Sequence, residues 1–344
     1  MTEAAIQSRK QRWLEFYDLA SSRRFIYIIR FSPDLPTRPL PNPEMERERI
    51  EWIWQNYEYY LQRTGWLEDD TLPYLDMMTG TEIFAEAFGC TVYRPEDNYP
   101  FALPCVHSAE KAQKLQIPTL DSPPLARIFR MADELSRRAG PGTLFRLVDL
   151  QSPLDVAALI WEKSDFYIAM LETPQVVSEL AEKVKTLQFA FLDEWFHRYG
   201  QECIAHYPDY YLPQGVTLSV DEIGAVNSKM FQKFFLPELN QFSERYGGLG
   251  MHCCAHARHQ WEHFKKISGL RLLNIVNNAN MIREAYPFFA DFVCQWHYDP
   301  TLQLQDPLDW LKEVPVGAHI VLEKTADSKD QALRIAEQLR AFDG

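Results

Sequence analysis

The sequence predicts an α/β fold in the form of a (β/α)8 TIM barrel. Eight apolar runs have the length of a β-strand, and a helical segment of suitable length follows seven of them. From Thr143 onward, these runs alternate regularly with helices, which favours parallel strands joined by helical crossovers. A doubly wound open sheet is the alternative, but the Gly-x-Gly-x-x-Gly turn expected after its first strand is absent from the chain.

The N-terminal 140 residues precede the regular alternation. An amphipathic helix predicted over residues 1–22 forms an N-terminal extension, and the aromatic and β-branched run at residues 24–30 is the first strand. A proline-rich loop follows this strand. Residues 40–140 are predicted as a long, mostly helical excursion between the first two strands, with helices at residues 44–64, 79–88 and 124–139.

Regular β/α units are predicted for residues 143–344, so the whole chain forms a single barrel domain. The strands of this part are predicted at residues 143–148, 203–206, 215–220, 249–253, 270–276, 291–296 and 318–322. The helices are predicted at residues 153–170, 174–199, 228–246, 258–266, 280–288, 307–313 and 328–342. Pro237 must kink or divide the third of these helices because proline lacks the backbone N–H that a helix interior needs.

Composition and charge exclude several classes of protein. The chain has 344 residues, of which 46% are hydrophobic and 24% charged, so we expect a folded globular protein. A formal net charge of -13 disfavours nucleic acid and anionic membrane surfaces as partners. We find no signal sequence and no apolar run long enough to span a membrane, so we expect a cytoplasmic location. The six cysteines are expected to be free thiols or metal ligands.

Polar or sulfur-bearing residues stand at the carboxyl ends of the predicted strands. In a (β/α)8 barrel these ends line one pocket, which is where the active site lies. The strand-end residues are Arg30, Asp149, His206, Tyr207, Ser219, Asp221, Glu222, His252, Cys253, Cys254, Asn277, Asn278, Cys294, Trp296, His297, Asp299 and Glu323. The pattern therefore supports both the barrel and an active site at its C-terminal mouth.

The stretch His252-Cys253-Cys254 places an imidazole and two thiols at three consecutive positions. Alternate side chains of a strand point the same way, so His252 and Cys254 form a pair of ligands suited to zinc, whereas Cys253 is expected to pack in the core. A third ligand must come from another strand. The candidates are the thiol of Cys294 and the carboxylates of Glu323 and Asp221. Alternatively, His252 is a satisfied polar residue at a helix start and Cys294 is a buried thiol.

Several motifs resemble the uroporphyrinogen decarboxylase superfamily. Leu218-Ser219-Val220-Asp221-Glu222 with the following residues 228–237 is similar to the family's Asp-containing strand and the helix after it. The stretch from His252 to Cys254 resembles the His-x-Cys of the methyltransferase branch, and residues 293–300 resemble the strand ending in Asp-Pro. The resemblance implies a (β/α)8 barrel. The superfamily contains the decarboxylase of haem synthesis and zinc-dependent methyltransferases that exchange methyl groups with corrinoid proteins.

The chain also departs from both branches. The decarboxylases carry a Met-Arg-Gln-Ala-Gly-Arg signature, whereas residues 28–33 read Ile-Ile-Arg-Phe-Ser-Pro and offer only Arg30 to substrate carboxylates. The last strand ends in Glu323-Lys324-Thr325 and lacks both the decarboxylase histidine and the second zinc-binding cysteine of the methyltransferases. Cys294 or Glu323 would therefore have to complete a zinc site with His252 and Cys254.

We favour a methyltransferase that uses zinc as a Lewis acid to move a methyl group between a small methylated substrate, or a thiol or ether acceptor, and a separate corrinoid protein. The assigned residues are Asp221, Glu222 and Arg30 for catalysis, Ser219, Tyr207, Asn277, Trp296, His297 and Asp299 for the substrate, and His252, Cys254, Cys294 and Glu323 for the metal. The alternatives are a porphyrinogen decarboxylase and a non-catalytic barrel that binds a metal or small ligand.

Overall fold

The fold is known from a computed structural model, which describes residues 2–31, 35–299 and 314–342. The α-helices of these residues are α1 (Thr2–Tyr17), α2 (Glu46–Arg63), α3 (Ile83–Ala87), α4 (Ala109–Lys114), α5 (Pro123–Ala139), α6 (Pro153–Ile160), α7 (Lys163–Glu172), α8 (Pro174–Tyr199), α9 (Ser228–Met230), α10 (Leu236–Tyr246), α11 (Trp261–Phe264), α12 (Ala279–Phe289) and α13 (Lys329–Phe342). The strands are β1 (Phe25–Arg30), β2 (Leu75–Asp76), β3 (Thr91–Tyr93), β4 (Phe101–Leu103), β5 (Phe145–Arg146), β6 (Cys203–Ile204), β7 (Tyr211–Leu212), β8 (Val216–Ser219), β9 (Leu249–Cys253), β10 (Leu270–Ile275), β11 (Cys294–Gln295) and β12 (Ile320–Thr325).

The larger sheet has six strands in the order β1-β12-β11-β10-β9-β8, and all of its neighbouring strands are parallel. Every residue of β8 and β9 is buried. Such strands are typical of a parallel sheet that is covered on both faces. The predicted α/β fold with a parallel sheet is therefore confirmed.

A second sheet has the order β2-β5-β6-β7, in which β2, β5 and β6 are parallel and β7 returns antiparallel to β6. Backbone hydrogen bonds tie it to the larger sheet, because Ser219 accepts from the N–H of Ser152 and donates to Leu150, both at 2.8 Å. Strand β2 lies inside the segment predicted as a mostly helical excursion. Its two residues are too short a run for an alternating pattern to be recognised.

Helix α1 packs against the amino ends of the large sheet. Trp13 and Phe16 are buried in the core, and Arg9 donates to the carbonyl oxygens of Leu67 at 2.6 Å and Asp69 at 2.7 Å. The carbonyl oxygen of Phe16 accepts hydrogen bonds from Cys294 and His319, which lie at the starts of two strands. The helix therefore closes one end of the sheet.

Pro237 divides the helix predicted over residues 228–246, as expected. A π-helical turn, Phe231–Phe235, separates α9 from α10, and Pro237 lies at the start of α10. Because proline supplies no N–H to the preceding turn, a break in the regular pattern is accommodated at this point.

The helix predicted at residues 307–313 lies outside the described residues. Among residues 2–31, 35–299 and 314–342, no helix combines the length and the apolar character that crossing a lipid bilayer requires.

Candidate metal centre

Three side chains with metal-binding atoms meet beyond the carboxyl ends of β8 and β9. Asp221, His252 and Cys254 each offer one ligand atom, and these atoms all lie within 4.8 Å of one another. The parallel register explains the meeting: Ser219 on β8 is paired with His252 on β9, so the residues that follow the two strands emerge side by side. We call these three residues the ligand cluster.

The ligand cluster is buried on one side and open on the other. His252 is 8% exposed, Asp221 is half-buried and Cys254 is exposed. A cation held here would keep access to solvent or substrate on the side of the thiol, which is the arrangement of a catalytic metal site rather than a closed structural one.

Asn274 on β10 orients the histidine. Its side-chain oxygen lies 2.5 Å from Nδ1 of His252, and its side-chain nitrogen donates to the carbonyl oxygen of Trp296. The second bond fixes which atom of the amide faces the imidazole, so Nδ1 is the protonated nitrogen and Nε2 carries the lone pair. Burial lowers the pKa of His252, which keeps the ring neutral and able to act as a ligand.

A buried carboxylate organises the loop that carries Asp221. Asp155 on α6 accepts the backbone N–H groups of Asp221 at 2.7 Å and Glu222 at 3.0 Å, and Ser152 donates its hydroxyl to the same carboxylate. Asp221 in turn accepts the backbone N–H of Cys254 at 2.6 Å. The chain of bonds runs from α6 through the β8 loop to the β9 loop, so the position of two ligands is set by one buried residue.

The surroundings of the ligand cluster are acidic. Burial and the charge of Asp221 raise the pKa of Asp155 to about 8 and that of Asp149 to about 7. The same two causes raise the pKa of the Cys254 thiol to about 12. A bound cation would relieve this concentration of negative charge and would stabilise the thiolate. The donor set of carboxylate oxygen, imidazole nitrogen and thiolate sulfur fits zinc.

Cys294 was predicted as a third ligand, and its position corrects that prediction. The residue stands at the first position of β11 and is 1% exposed, and its thiol donates to the carbonyl oxygen of Phe16 at 3.2 Å. It therefore lies at the amino ends of the strands, against α1, whereas the ligand cluster lies beyond the carboxyl ends. Among the described residues, the place predicted for it is taken by Asp221.

Glu323, the other residue assigned to the metal, belongs to a separate ion-pair network. Its carboxylate lies 3.1 Å from the Nε of Arg30. Arg30 also forms two hydrogen bonds to Asp209, at 2.7 and 2.6 Å, and Tyr74 donates to the same aspartate at 2.6 Å. Glu323 is not one of the three residues of the ligand cluster, so its assignment to the metal stays a prediction. The Arg30 guanidinium, predicted to serve the reaction, is already engaged by two carboxylates.

His297, predicted to contact substrate, faces the layer between sheet and helices. Its Nδ1 accepts the backbone N–H of Ile275 at 3.0 Å, its Nε2 lies 3.0 Å from the side-chain oxygen of Gln295, and its ring packs on Tyr286 of α12. Burial lowers its pKa to about 3. Trp296 and His297 follow β11 in extended backbone, where side chains alternate, so Trp296 faces the opposite side.

The remaining predicted residues are distributed around the ligand cluster. The ring of Tyr207 meets that of His252 edge to face, with centroids 4.6 Å apart. Trp296 is buried beneath the Arg30 guanidinium, which lies 5.7 Å from the ring centre. Glu222 accepts hydrogen bonds from Lys163 and Tyr167 of α7. Asn277 is half-buried and its side-chain oxygen accepts the backbone N–H of Asn278 at 3.0 Å, and Asp299 is buried.

Two side chains near the ligand cluster were assigned no role from the sequence. The first is Asn274, which lies inside an apolar strand and gave no signal at a strand end. The second is the buried His206, whose Nε2 lies 2.8 Å from the hydroxyl of Ser219 and 3.6 Å from the carboxylate of Asp149. Both His206 and Asp149 were among the strand-end residues, so the pattern contained them without assigning them a role.

Comparisons with known proteins agree with this architecture. A family model described as Uroporphyrinogen decarboxylase (URO-D) matches residues 75–315, more than half of the 344-residue chain. A solved methyltransferase from Methanosarcina mazei has a similar fold, with a TM-score of 0.63 and 10% sequence identity over 97% of this chain and 99% of that chain. No curated protein matches this chain.

Proposed function

The chain belongs to the uroporphyrinogen decarboxylase family, and we propose that within it the protein is a zinc-dependent methyltransferase. In this proposal the two sheets form the wall of a (β/α)8 barrel, and the ligand cluster lies at its C-terminal mouth. The single observation that carries the proposal is the convergence of Asp221, His252 and Cys254, with ligand atoms within 4.8 Å of one another and one side open.

The residues of the ligand cluster would divide the work of holding zinc. His252 offers Nε2, which Asn274 leaves free by holding Nδ1, and Cys254 offers its thiolate from the exposed side. Asp221 offers a carboxylate oxygen whose position depends on Asp155. When bound, zinc would supply Lewis acidity at the open side, which lowers the pKa of a thiol or polarises an ether oxygen.

The proposed reaction exchanges a methyl group with a separate corrinoid protein. The methyl carbon moves as a formal cation: its bond to cobalt breaks with both electrons remaining on cobalt, and a new bond forms to the sulfur of a small thiol acceptor. The reverse direction would demethylate a small substrate. Tyr207 and Ser219, beside His252, would orient the small molecule, and we assign the proton of the departing or entering thiol to the solvent on the open side.

The contacts of Arg30 argue against the alternative of porphyrinogen decarboxylation. A substrate with many carboxylates needs free cations in the site. Asp209 and Glu323 already neutralise Arg30, and burial together with the charge of Asp221 raises the pKa of Asp149 and of Asp155. This electrostatic environment favours binding of a metal cation over that of a polyanion.

Metal analysis of the purified protein tests the proposal. We expect about one zinc per chain in the wild type, and loss of that zinc in His252→Ala, Cys254→Ser and Asp221→Ala. Cys294→Ser is the matched control, because it removes a thiol that contacts the Phe16 carbonyl and should retain the metal. A wild-type protein that binds no zinc after reconstitution would overturn the proposal.

Methyl transfer is tested with methylcobalamin and a set of small thiols. We expect the absorption of methylcobalamin to decay only when zinc-loaded protein and an acceptor thiol are both present. A protein that binds zinc and shows no transfer with any thiol or ether, but releases carbon dioxide from a porphyrinogen, would favour the decarboxylase.

A further inference from the structure

Two cysteines outside the ligand cluster form a close thiol pair. The sulfur atoms of Cys90 and Cys105 lie 3.4 Å apart, and Cys90 donates its hydrogen to Cys105. Cys90 immediately precedes β3, and Cys105 follows β4 after one proline, so the pair joins the base of the antiparallel β3–β4 hairpin. We call it the hairpin dithiol. All six cysteines of the chain are free in the structure.

The hairpin dithiol is held in place by the backbone on both sides. The N–H of Cys90 donates to the carbonyl oxygen of Ala85 at 3.1 Å, and that of Cys105 donates to Ile160 at 3.0 Å. Closing the sulfur atoms to the disulfide distance of about 2 Å needs a side-chain adjustment of about 1.4 Å. The two residues lie at the open end of the hairpin, just beyond its last pair, Thr91 and Leu103.

The two thiols differ in exposure and in acidity. Cys105 is half-buried and Cys90 is 4% exposed. The hydrogen bond from Cys90, together with the charge of Lys111 on α4, lowers the pKa of Cys105 to about 7, whereas the same hydrogen bond raises the pKa of Cys90. Burial alone raises the pKa of Cys294, which has no such partner. In redox-active pairs the more acidic and more exposed thiol, here Cys105, attacks the oxidant, and its partner, here Cys90, resolves the mixed disulfide.

We propose that Cys90 and Cys105 form a reversible disulfide by exchange with a small-molecule disulfide such as oxidised glutathione. The Cys105 thiolate attacks one sulfur of the oxidant, which breaks the oxidant's disulfide bond and releases one thiol. Cys90 then loses its proton and attacks the sulfur of Cys105, which breaks the mixed disulfide and releases a second thiol. The protein loses two hydrogens, and the oxidant is reduced to two thiols.

The proposal is independent of the methyltransferase assignment, because neither cysteine belongs to the ligand cluster. The hairpin dithiol is nevertheless connected to the ligand cluster through α7. Val106, next to Cys105, forms a parallel bridge with Trp161 at the start of the segment leading to α7. That helix carries Lys163 and Tyr167, which hold Glu222 beside the cluster.

The test exposes the reduced full-length protein to oxidised glutathione and follows thiol titration, intact mass and peptide mapping. We expect the titratable thiols of the unfolded, quenched protein to fall from six to four, a loss of two hydrogens and a crosslinked peptide pair containing Cys90 and Cys105, all reversed by a reducing dithiol. Cys90→Ala should instead accumulate a mixed disulfide on Cys105.

Two controls separate the hairpin dithiol from the other thiols. Cys203→Ser should behave as the wild type, because that cysteine is buried and burial raises its pKa to about 12. Cys254→Ser should still form the Cys90–Cys105 crosslink, since its exposed thiol is not a member of the pair. Retention of all six thiols in the wild type, or a crosslink that maps to another pair, would overturn the proposal even if a variant failed to fold.

Discussion

The two ends of the large parallel sheet carry the same residue types with different outcomes. At the carboxyl ends, His252 and Cys254 converge with Asp221 on an open side. At the amino ends, His319 and Cys294 converge on the carbonyl oxygen of Phe16, at 2.7 and 3.2 Å, and both are buried. His252 and Cys254 therefore keep ligand atoms that a metal ion could bind. His319 and Cys294 instead form hydrogen bonds to a backbone carbonyl.

The difference teaches that the position of a residue along its strand decides its chemistry. A helix that packs over the strand starts brings backbone carbonyls to any donor buried there, and those groups must be paired because an unpaired buried polar group is unfavourable. At the other end, the loops after the strands leave Cys254 exposed and Asp221 half-buried. The same histidine or cysteine is therefore structural at one end and available at the other.

The largest expected effect separates stability from metal binding. Phe16→Ala removes a fully buried ring that packs on Trp13 and His319, so we expect the free energy of unfolding to fall by about 3–5 kcal/mol. The backbone carbonyl of residue 16 remains. Zinc affinity of the folded protein should stay unchanged, as measured by competition with a chromophoric chelator. A parallel loss of zinc affinity would show that the two ends are coupled.

The next effect concerns the orientation of His252. Asn274→Ala removes the acceptor of the imidazole N–H, and we expect zinc affinity to fall by about 10–100-fold with little change in coordination number. Asn277→Ala, three residues further along the chain, is the matched control because its side-chain oxygen accepts from Asn278. Equal losses in the two variants would contradict the role assigned to Asn274.

The two ends should also respond to pH in opposite directions. Burial raises the pKa of Asp149 to about 7, so the folded state binds this proton more tightly than the unfolded state, and stability falls as pH rises from about 4 towards 7. Burial lowers the pKa of His319, so the unfolded state binds that proton more tightly, and stability is lost as pH falls below about 6.5.

Urea unfolding across this pH range, with a chelator present, measures both effects. Asp149→Asn should make stability rise more steeply with pH, and His319→Gln should make it rise less steeply, each by less than about 1.4 kcal/mol per pH unit. A change of slope in the same direction for both variants would contradict the contrast between the two ends.

The smallest effect is expected at the rim of the ligand cluster. Lys163→Ala removes an ion pair with Glu222, but the lysine side chain is 48% exposed. We therefore expect the free energy of unfolding to change by less than about 1 kcal/mol. Zinc affinity, measured by the same competition assay, should change less than in Asn274→Ala. A larger loss would mean that Glu222 itself contributes to holding the cation.

The sequence predicted the long elements of the fold because their patterns are long enough to be periodic. Helix α8 and strands β1, β9 and β10 lie where the apolar runs placed them, whereas β12, predicted at residues 318–322, is Ile320–Thr325. Strand β2 and the β3–β4 hairpin were not predicted, since two or three residues cannot display an alternating pattern. Strand β2 is defined by its backbone pairing with β5, which is distant in the sequence, so no local pattern records it.

The candidate site was predicted where its residues are close in the sequence. The spacing of His252 and Cys254 is local, so their convergence could be read from the chain. Asp221 was one of three candidates for the third position, and only the pairing of β8 with β9 favours it over Cys294. The choice of Cys294 failed because the residue begins β11 rather than ending it.

Gly250 lies on β9, two residues before His252, and packs closely against Tyr210. A Cβ atom at this position would lie 1.7 Å from the hydroxyl oxygen of Tyr210, which bonds Thr217 at 2.7 Å between the two sheets. Any larger residue would require either Tyr210 or β9 to shift, and a shift of β9 would move His252, two positions along. The zinc affinity of Gly250→Ala, compared with its stability, therefore reports whether the close packing of β9 on Tyr210 sets the position of the imidazole.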